Sequence, residues 1–587
     1  MSQKPIKKTS RPQFMISQSH SAEPCLEDNA VQRQRKLGAV YTPSKLADWV
    51  ARLFIEMGSL PENSLICDPA CGDGELLHSV MLHQPSVVAL GLDVDPSATL
   101  QAAERLGTAA KIYTRDALKN PFKVCIPTWA TGLNSASLDG VIANPPWGAE
   151  LTASREELHS IGYKLARGQF DSWDLFIEAS LRNLAPYGIA AFIIPDSLFL
   201  PEHSRTREIL HTSTTIRFVA RLGEGFFPRV FRGTTVVLFE NINPSPDHEI
   251  ETLRFNKQDR RSIFSGDAEF DEIRREKSIR IPQSRFQKDH YGRWDVDSKT
   301  SEDHSIQNFS AARSSWTDWL VSGRGVELSK SGRVLICPSC SFTRPATKQK
   351  HLSCGNCGFS APAHEFHAEQ IISEVPNADG TFPLLVGEDV KRYFAAPSRY
   401  IKTGMPGINY KSLEVYSRRR LLIRKTGVGI KASIVDEPCM TNQVVFHYYP
   451  NPNANPPEFF LSYCLGVLCS RTLLAYHLRT TGDNEWRSHP YVTQKVISGL
   501  PIPMPEEGSR SWGQAKAIAA SVDRMTKGSM PATEADIEIE SLVSALFGFN
   551  ETSYSWVEHV LEQAEALEPI RTLRLGEGLR VAPRWVA

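Results

Sequence analysis

The run LDGVIANPPW, residues 138 to 147, ends in Asn144-Pro145-Pro146-Trp147. The two prolines lock φ and remove N–H donors, so the Pro145 carbonyl oxygen can project into a pocket unopposed. Asn144 supplies a second acceptor beside it, and Trp147 supplies a flat stacking face. Two acceptors under an aromatic plane suit a planar exocyclic amine, because accepting both N–H hydrogens favours the pyramidal form whose lone pair can attack. Three acids close three earlier apolar runs: Asp68 in SLICDPACGDGELL, Asp93 in VVALGLDVDP and Asp116 in YTRDAL. Gly72 and Gly74 let backbone approach a ligand closely, and Asp68 can fix the turn or face a cationic group. Asp93, about 25 residues further on, stands where a carboxylate grips ribose hydroxyls. The loop has neither the GK[ST] of a P-loop nor GxGxxG, which disfavours a pyrophosphate. An adenosine with a cationic centre fits better.

A second constellation holds Cys337, Cys340, Cys354 and Cys357, two CxxC pairs separated by 13 residues. Each pair can form a knuckle, and two knuckles complete a tetrahedral all-thiolate site with no open position, which points to a structural Zn²⁺. His351 reads as a surface residue. Thr343, Arg344, Lys348 and Lys350 between the knuckles either touch phosphate or solvate a protrusion. Cys67 and Cys71 read as small packing residues, and Pro438-Cys439 as a chance echo of a cytosine-C5 nucleophile.

These residues need elements to position them. Thr42 can cap a helix that starts with Pro43 and carries Leu46, Trp49, Val50, Leu53, Phe54 and Met57 on one face. Short apolar runs follow at Ser64 to Cys67, Val87 to Leu92, Lys111 to Tyr113, Leu138 to Ala143 and Ala190 to Ile194, separated by helical stretches. That alternation predicts a parallel α/β sheet. Ile216 to Leu222 and Thr234 to Phe239 read as an antiparallel pair closing it.

The chain has 587 residues, with 66 Lys+Arg against 66 Asp+Glu. That length implies three or four domains at roughly 100–200 residues each. Its composition excludes wholesale disorder and a polybasic coat protein. The longest apolar run, around Ile189 to Ile194, is far short of the ~18 residues that span a bilayer. The start carries no secretory h-region, and the cysteine pattern suits a reducing compartment, so the expectation is a cytoplasmic protein without membrane contact. The boundaries read as a polar mobile tail (1–35), an α/β domain (36–245), a charged linker or connecting segment (246–310), a recognition region (311–510) with the ribbon at 333–360, and a helical C-terminal segment (511–587). Between Lys391 and Lys431, eleven Lys/Arg face the single acid Glu414, with Tyr393, Phe394, Tyr400, Tyr410 and Tyr416 interleaved. This suits a surface that tracks a phosphate backbone. Arg418, Arg419, Arg420, Arg424 and Lys425 are the expected DNA contacts. Residues 531–568, rich in acids, are expected to point away from DNA or face another protein.

The ordered set resembles the gamma-class, or TaqI-type, N6-adenine DNA methyltransferases that use S-adenosylmethionine. GAVYTP at Gly38 to Pro43 is similar to their first cofactor motif, which brings in Tyr41 and Thr42. DPACGDG resembles their Gly-rich loop, with Asp68, Pro69, Ala70, Cys71 and Gly72, and Asp93 and Asp116 their ribose and adenine contacts. NPPW resembles the catalytic motif, with Asn144 expected at the cofactor as well, and the run from Asp171 to Phe199 the next two motifs. GEGFFPRVF is similar to the segment whose aromatic packs on a flipped base, with Phe227 in that place. Trp147 departs from the commoner Tyr or Phe. SGRGVEL, LLVGEDVKRYF, RRRLLIRKTGVGIKA and ISGLPIPMP resemble, more loosely, the C-terminal specificity region. The resemblance implies a Rossmann-like seven-stranded sheet with an antiparallel hairpin, and a mixed α/β recognition region ahead of a terminal helical segment. It also implies base flipping, with Trp147 and Phe227 sandwiching the adenine, in a restriction-modification or phage-defence setting with possible protein partners. A protein (glutamine) or RNA methyltransferase using the same NPPW chemistry is the alternative.

Overall fold

A computed structural model describes residues 40–119, 137–227, 232–288, 294–296, 305, 309, 315–328, 331–347, 349–376, 380–427, 429–481 and 492–565. The expected tail, Gly38, Pro228 and Lys348 lie outside them.

Strands β1 (Leu65–Asp68), β2 (Val88–Asp93), β3 (Ala110–Thr114), β4 (Leu138–Ala143), β5 (Leu184–Pro195), β6 (Thr215–Gly223), β7 (Thr234–Glu240), β8 (Glu249–Arg254) and β9 (Ile279–Pro282) form one sheet, ordered β3-β2-β1-β4-β5-β7-β6-β8-β9. β1 to β5 are mutually parallel, and β7 runs antiparallel between β5 and β6. The expected pair is therefore present, with β7 inserted inside β6. Helices α1 (Ser44–Gly58), α2 (Glu75–His83), α3 (Pro96–Leu106), α4 (Arg155–Ile161), α5 (Ser172–Asn183) and α6 (Ser204–Ser213) alternate with these strands. The parallel arrangement collects the carboxyl ends of β1, β2, β3 and β4 along one edge, where open α/β sheets bind ligands. Asp68 and Asp93 are the last residues of their strands, Asp116 lies two past β3, and Asn144 follows β4 directly.

Three expectations need correction. The sheet has nine strands rather than seven, and the stretch read as a charged linker from residue 246 is folded as far as residue 288. It supplies β8, β9 and helices α7 (Lys257–Ser265) and α8 (Phe270–Lys277). Its polar composition is misleading because its charges are spent on α1. Asp271 accepts from the Trp49 indole at 3.0 Å and from Arg52 at 2.5 Å, while Arg274 bonds Glu56 and Glu251. Phe270 stacks on Trp49 with ring centroids 4.7 Å apart. Thr42, expected to cap α1, does not: the cap position is Pro43, and the Thr42 hydroxyl bonds Asn144 instead.

The following region has β10 (Leu320–Arg324), then the ribbon strands β11 (Arg333–Ile336), β12 (Thr343–Pro345), β13 (His351–Ser353), β14 (Ser360–Pro362) and β15 (His367–Gln370). It continues with β16 (Ile372–Ser373), β17 (Thr381–Leu385), β18 (Arg399–Lys402), β19 (Arg420–Arg424), β20 (Ala432–Val435), β21 (Met440–Thr441) and β22 (Val445–Pro450). One sheet runs β10-β22-β19-β20 and another β16-β18-β17-β21. β10 pairs with β22 across a long excursion, so the ribbon is an insertion into this unit. Helices α9 (Leu413–Ser417), α10 (Phe460–Leu468), α11 (Arg471–Thr481), α12 (Gln494–Ser498), α13 (Arg510–Thr526), α14 (Ala532–Leu546) and α15 (Ser555–Glu565) complete it. The acidic terminus packs inward. Asp536 pairs with Arg392, and Glu540 accepts the Arg471 and Thr472 backbone N–H groups at 2.6 and 2.9 Å at the start of α11. Among the described residues, no helix is long and apolar enough to cross a membrane.

Candidate active site

At the carboxyl edge of β1 to β4 lies a cleft of about 110 Å³ lined by Tyr41, Pro69, Ala70, Gly72, Asp93, Asp116, Asn144 and Pro146. Gly72 (φ +53°) faces it under Tyr41; a Cβ there would stand 3.3 Å from the tyrosine ring. The Asp93 carboxylate accepts from the Gly72 and Asp95 backbone N–H groups, both at 2.9 Å, so it locks the loop while lining the cleft. Burial still raises its pKa above the ordinary carboxylate value. Asp68 is wholly buried beneath the loop, where it accepts from Ala70 N–H at 3.0 Å, and burial raises its pKa further. Asp116 accepts from Leu118 N–H and from the Thr152 hydroxyl.

Asn144 donates through Nδ2 to the Val40 carbonyl at 2.8 Å and to the Thr42 hydroxyl at 3.1 Å. Its Oδ1 is buried with no hydrogen-bond partner. Among the described residues none donates to the Pro145 carbonyl, whereas the Pro146 carbonyl is taken by the Ser172 hydroxyl at 2.5 Å. Asp171 accepts from Gly148 N–H at 2.7 Å, so the start of α5 clamps the loop on both sides of Trp147. Trp147 is 7% exposed and meets Phe227 edge-on, with ring centroids 5.1 Å apart at 75°. The two expected stacking residues are together, but as a T rather than as parallel plates.

Not every expected cofactor residue lines the cleft. Cys71 packs its Sγ against Gly91, 3.0 Å from where a Cβ would stand, and burial raises its thiol pKa. Asp68 and Thr42 act behind the lining, on the loop and on Asn144. The cleft also has walls not among the expected site residues, Val94, Thr152, Ser172 and Phe176, the last two within the run that resembles the later motifs. Val94 directly follows Asp93, and Phe176 lies five residues past the Asp171 cap. Those spacings are the signal that could have found them.

In the ribbon the four sulfurs lie within 4.8 Å of one another, with Cys337 to Cys357 at 3.7 Å and Cys340 to Cys354 at 3.6 Å. A tetrahedron with ~2.3 Å Zn–S bonds has S···S edges of about 3.8 Å, so the thiolates fit zinc. The knuckles share a backbone pattern: Ser341 N–H bonds the Cys337 carbonyl and Gly358 N–H that of Cys354, both from left-handed conformations. The Asn356 amide and the Phe342 N–H lower the Cys340 thiol to about 6, whereas burial raises that of Cys337 to about 11.

The expected DNA contacts divide. Arg420 is 0% exposed and spends its guanidinium on the carbonyls of Tyr416, Arg418 and Cys439, which removes it from any DNA surface. Arg418 and Arg419 are exposed but paired, with Glu414 and with Asp436 and Asp523. Arg424 and Lys425 are half-buried at the end of β19 and beyond.

Comparison with known proteins identifies two domains. Residues 19–291 match the N-6 DNA methylase model, and residues 382–502 the TaqI-like C-terminal specificity domain. The chain thus carries an N-6 DNA methylase domain followed by a TaqI-like C-terminal specificity domain. A curated relative, the Type II methyltransferase M.TthHB8I of Thermus thermophilus, is 26% identical over 195 residues, 30% of this chain and 39% of that one. The match thus spans well under half of that relative. Among solved structures, the Type IIL restriction-modification enzyme MmeI in complex with DNA covers 92% of this chain and 77% of its own, at 12% identity and a TM-score of 0.51, a likeness of fold. The type IIG restriction endonuclease BpuSI covers 94% and 68%, at 16% identity and a TM-score of 0.41. The first match ends just past β9 and so takes in β8, α7, α8 and β9. The ribbon falls in the interval between the two models.

Proposed function

We propose that the protein methylates the N6 amino group of adenine in duplex DNA after rotating the base out of the helix, as a modification activity of a restriction or phage-defence system in the cytoplasm. The observation that carries this is Asn144 Oδ1, a buried acceptor with no partner beside the Pro145 carbonyl at the ligand edge of the sheet. A buried acceptor left unpaired costs about 1–3 kcal/mol, which an incoming N–H donor recovers. Asn144 and Pro145 would each accept one hydrogen of the amine and localise its lone pair for attack. Trp147 and Phe227 would hold the ring once their edge-on contact opens, at an unstacking cost that base flipping always carries. S-adenosylmethionine, when bound, supplies a methyl group on a cationic sulfur. Asp93 would grip its ribose, Asp116 with Thr152 its adenine side, and Gly72 and Tyr41 the cleft mouth. The chain contributes positioning and hydrogen-bond polarisation, with no covalent adduct. Zn²⁺ would hold the ribbon through Cys337, Cys340, Cys354 and Cys357. MmeI, a restriction-modification enzyme seen in complex with DNA, and M.TthHB8I, a Type II methyltransferase, support the DNA and modification parts of this reading.

Incubating the protein with tritiated S-adenosylmethionine and separate pools of duplex DNA, tRNA and release factors tests the substrate class. Label is expected in DNA, on N6-methyladenine after digestion; label confined to protein or RNA would refute the reading.

A further inference from the structure

The basic stretch that suggests a DNA surface is largely spent within the protein. Of its eleven cations, Arg392, Arg399, Lys402, Arg418 and Arg419 are ion-paired and Arg420 is buried. The ribbon shows the opposite. Arg333, Arg344 and Lys350 form no ion pair with any described residue, and all three reach solvent.

The ribbon hairpin also has the right face. In β13 and β14 the side chains alternate: Leu352 and Ala361 are buried under the hairpin, while His351, Ser353 and Ser360 are exposed on the other side. The Ser353 and Ser360 hydroxyls meet across the strands at 2.9 Å, and the Arg344 guanidinium reaches the Ser353 carbonyl at 3.5 Å. Lys350 enters the same strand. Hydroxyls beside unpaired cations are the groups that contact phosphate oxygens. The ribbon is also anchored: Thr343 N–H bonds the Pro406 carbonyl at 2.7 Å, and Gly407 fits against Thr343 so closely that a Cβ would lie 2.4 Å from its carbonyl oxygen. Thr343 is therefore an anchor and leaves the surface to its neighbours.

We infer that the outer face of the β13–β14 hairpin, with Arg344, Lys350, Ser353 and Ser360, is a backbone clamp for duplex DNA that the specificity domain holds in place. This rests on the DNA methyltransferase reading above and adds a contact surface outside both family matches. The clamp would add affinity through phosphates without reading bases.

The test is fluorescence anisotropy of a labelled duplex with the full-length, zinc-loaded protein between 50 and 200 mM salt. Losing two phosphate contacts lowers the slope of log K against log [salt] by about 1.8. Arg344→Ala/Lys350→Ala should show that drop and bind on the order of tenfold more weakly at low salt, with zinc content and S-adenosylmethionine affinity unchanged. Ser353→Ala/Ser360→Ala should weaken binding without changing charge. A control, Arg524→Ala/Lys277→Ala, removes two cations that Glu538 and Asp259 already neutralise and should leave the slope near that of the parent. A parent-like slope in Arg344→Ala/Lys350→Ala, or an equal drop in the control, would overturn the inference. Tighter binding of a tRNA probe, lost in the same variant, would overturn the choice of partner. Failure of the parent protein to bind any duplex would instead sink the underlying reading.

Discussion

The Asn144 amide is oriented by the Val40 carbonyl, 104 residues earlier in the chain, at 2.8 Å. A carbonyl can only accept, so the amide nitrogen must face it and Oδ1 must face the Pro145 side. Asn144→Ala removes the acceptor and should lower kcat by about 10²–10³, the scale for one lost transition-state hydrogen bond, with S-adenosylmethionine affinity within a few-fold. Asn144→Asp is the sharper variant, since one carboxylate oxygen would oppose the Val40 oxygen. It should lose activity as fully as alanine, as measured by single-turnover methyl transfer. Retained turnover in either would remove Asn144 from its role.

Ser172 and Asp171 hold the same loop from the other side, through the Pro146 carbonyl and the Gly148 N–H. Ser172→Ala frees one anchor without touching the amine acceptors. The expected result is a fall of about tenfold in kcat with KM for DNA little changed, since a small misplacement of reacting groups costs rate rather than affinity. A change confined to KM would show that Ser172 serves binding instead.

Residue order was a good guide where the chemistry is local and a poor one where it depends on partners distant in the chain. The strand-end acids, the NPPW turn and the cysteine pairs are legible because each sits at one element boundary with its own spacing. The folded segment from Glu249 to Lys288 was not, because polar residues such as Asp271 and Arg274 meet their partners Trp49, Arg52 and Glu56 only across some 220 residues. The burial of Arg420 is hidden from the sequence for the same reason: its carbonyl partner at Cys439 lies beside it only in the fold. The T-shaped meeting of Trp147 and Phe227 is a packing outcome on which residue type is silent.

The thiolate tetrahedron predicts one zinc ion per chain by metal analysis. Cys354→Ser should lose it and, with it, protection of the ribbon amides in hydrogen exchange, because so small a core has little else to hold it. Methyl transfer to a short duplex at low salt should persist, since the ribbon lies outside the catalytic domain. Zinc retained in Cys354→Ser would mean that the four sulfurs are not the ligand set.

Arg420→Ala separates structure from recognition. The substitution strands three carbonyl oxygens and opens a buried cavity, a loss of roughly 3 kcal/mol or more. Chemical denaturation should show that loss, while the salt slope of DNA binding stays at its parent value because the guanidinium never reaches phosphate. A lower slope at unchanged stability would put Arg420 back on the DNA surface.

Burial raises the carboxyl groups of Asp68 and Asp93 above the ordinary range, so both take up protons at a higher pH than exposed acids do. The carboxylate form is the one that can grip ribose hydroxyls or face a cationic ligand, so S-adenosylmethionine binding should weaken on acidification and begin to do so above the usual carboxylate range. The stability effect of these two groups runs the other way. A raised folded-state pKa means that the native protein binds more protons than the unfolded chain, so acidification favours the fold at these sites. Weaker binding at mildly acid pH therefore cannot be charged to unfolding through Asp68 or Asp93. Calorimetric titration across the mildly acidic range should show the dissociation constant rising as pH falls, with Asp93→Asn weaker at every pH and flatter in its dependence. A parent profile as flat as that of Asp93→Asn would mean that the carboxylate at the end of β2 does not act in binding.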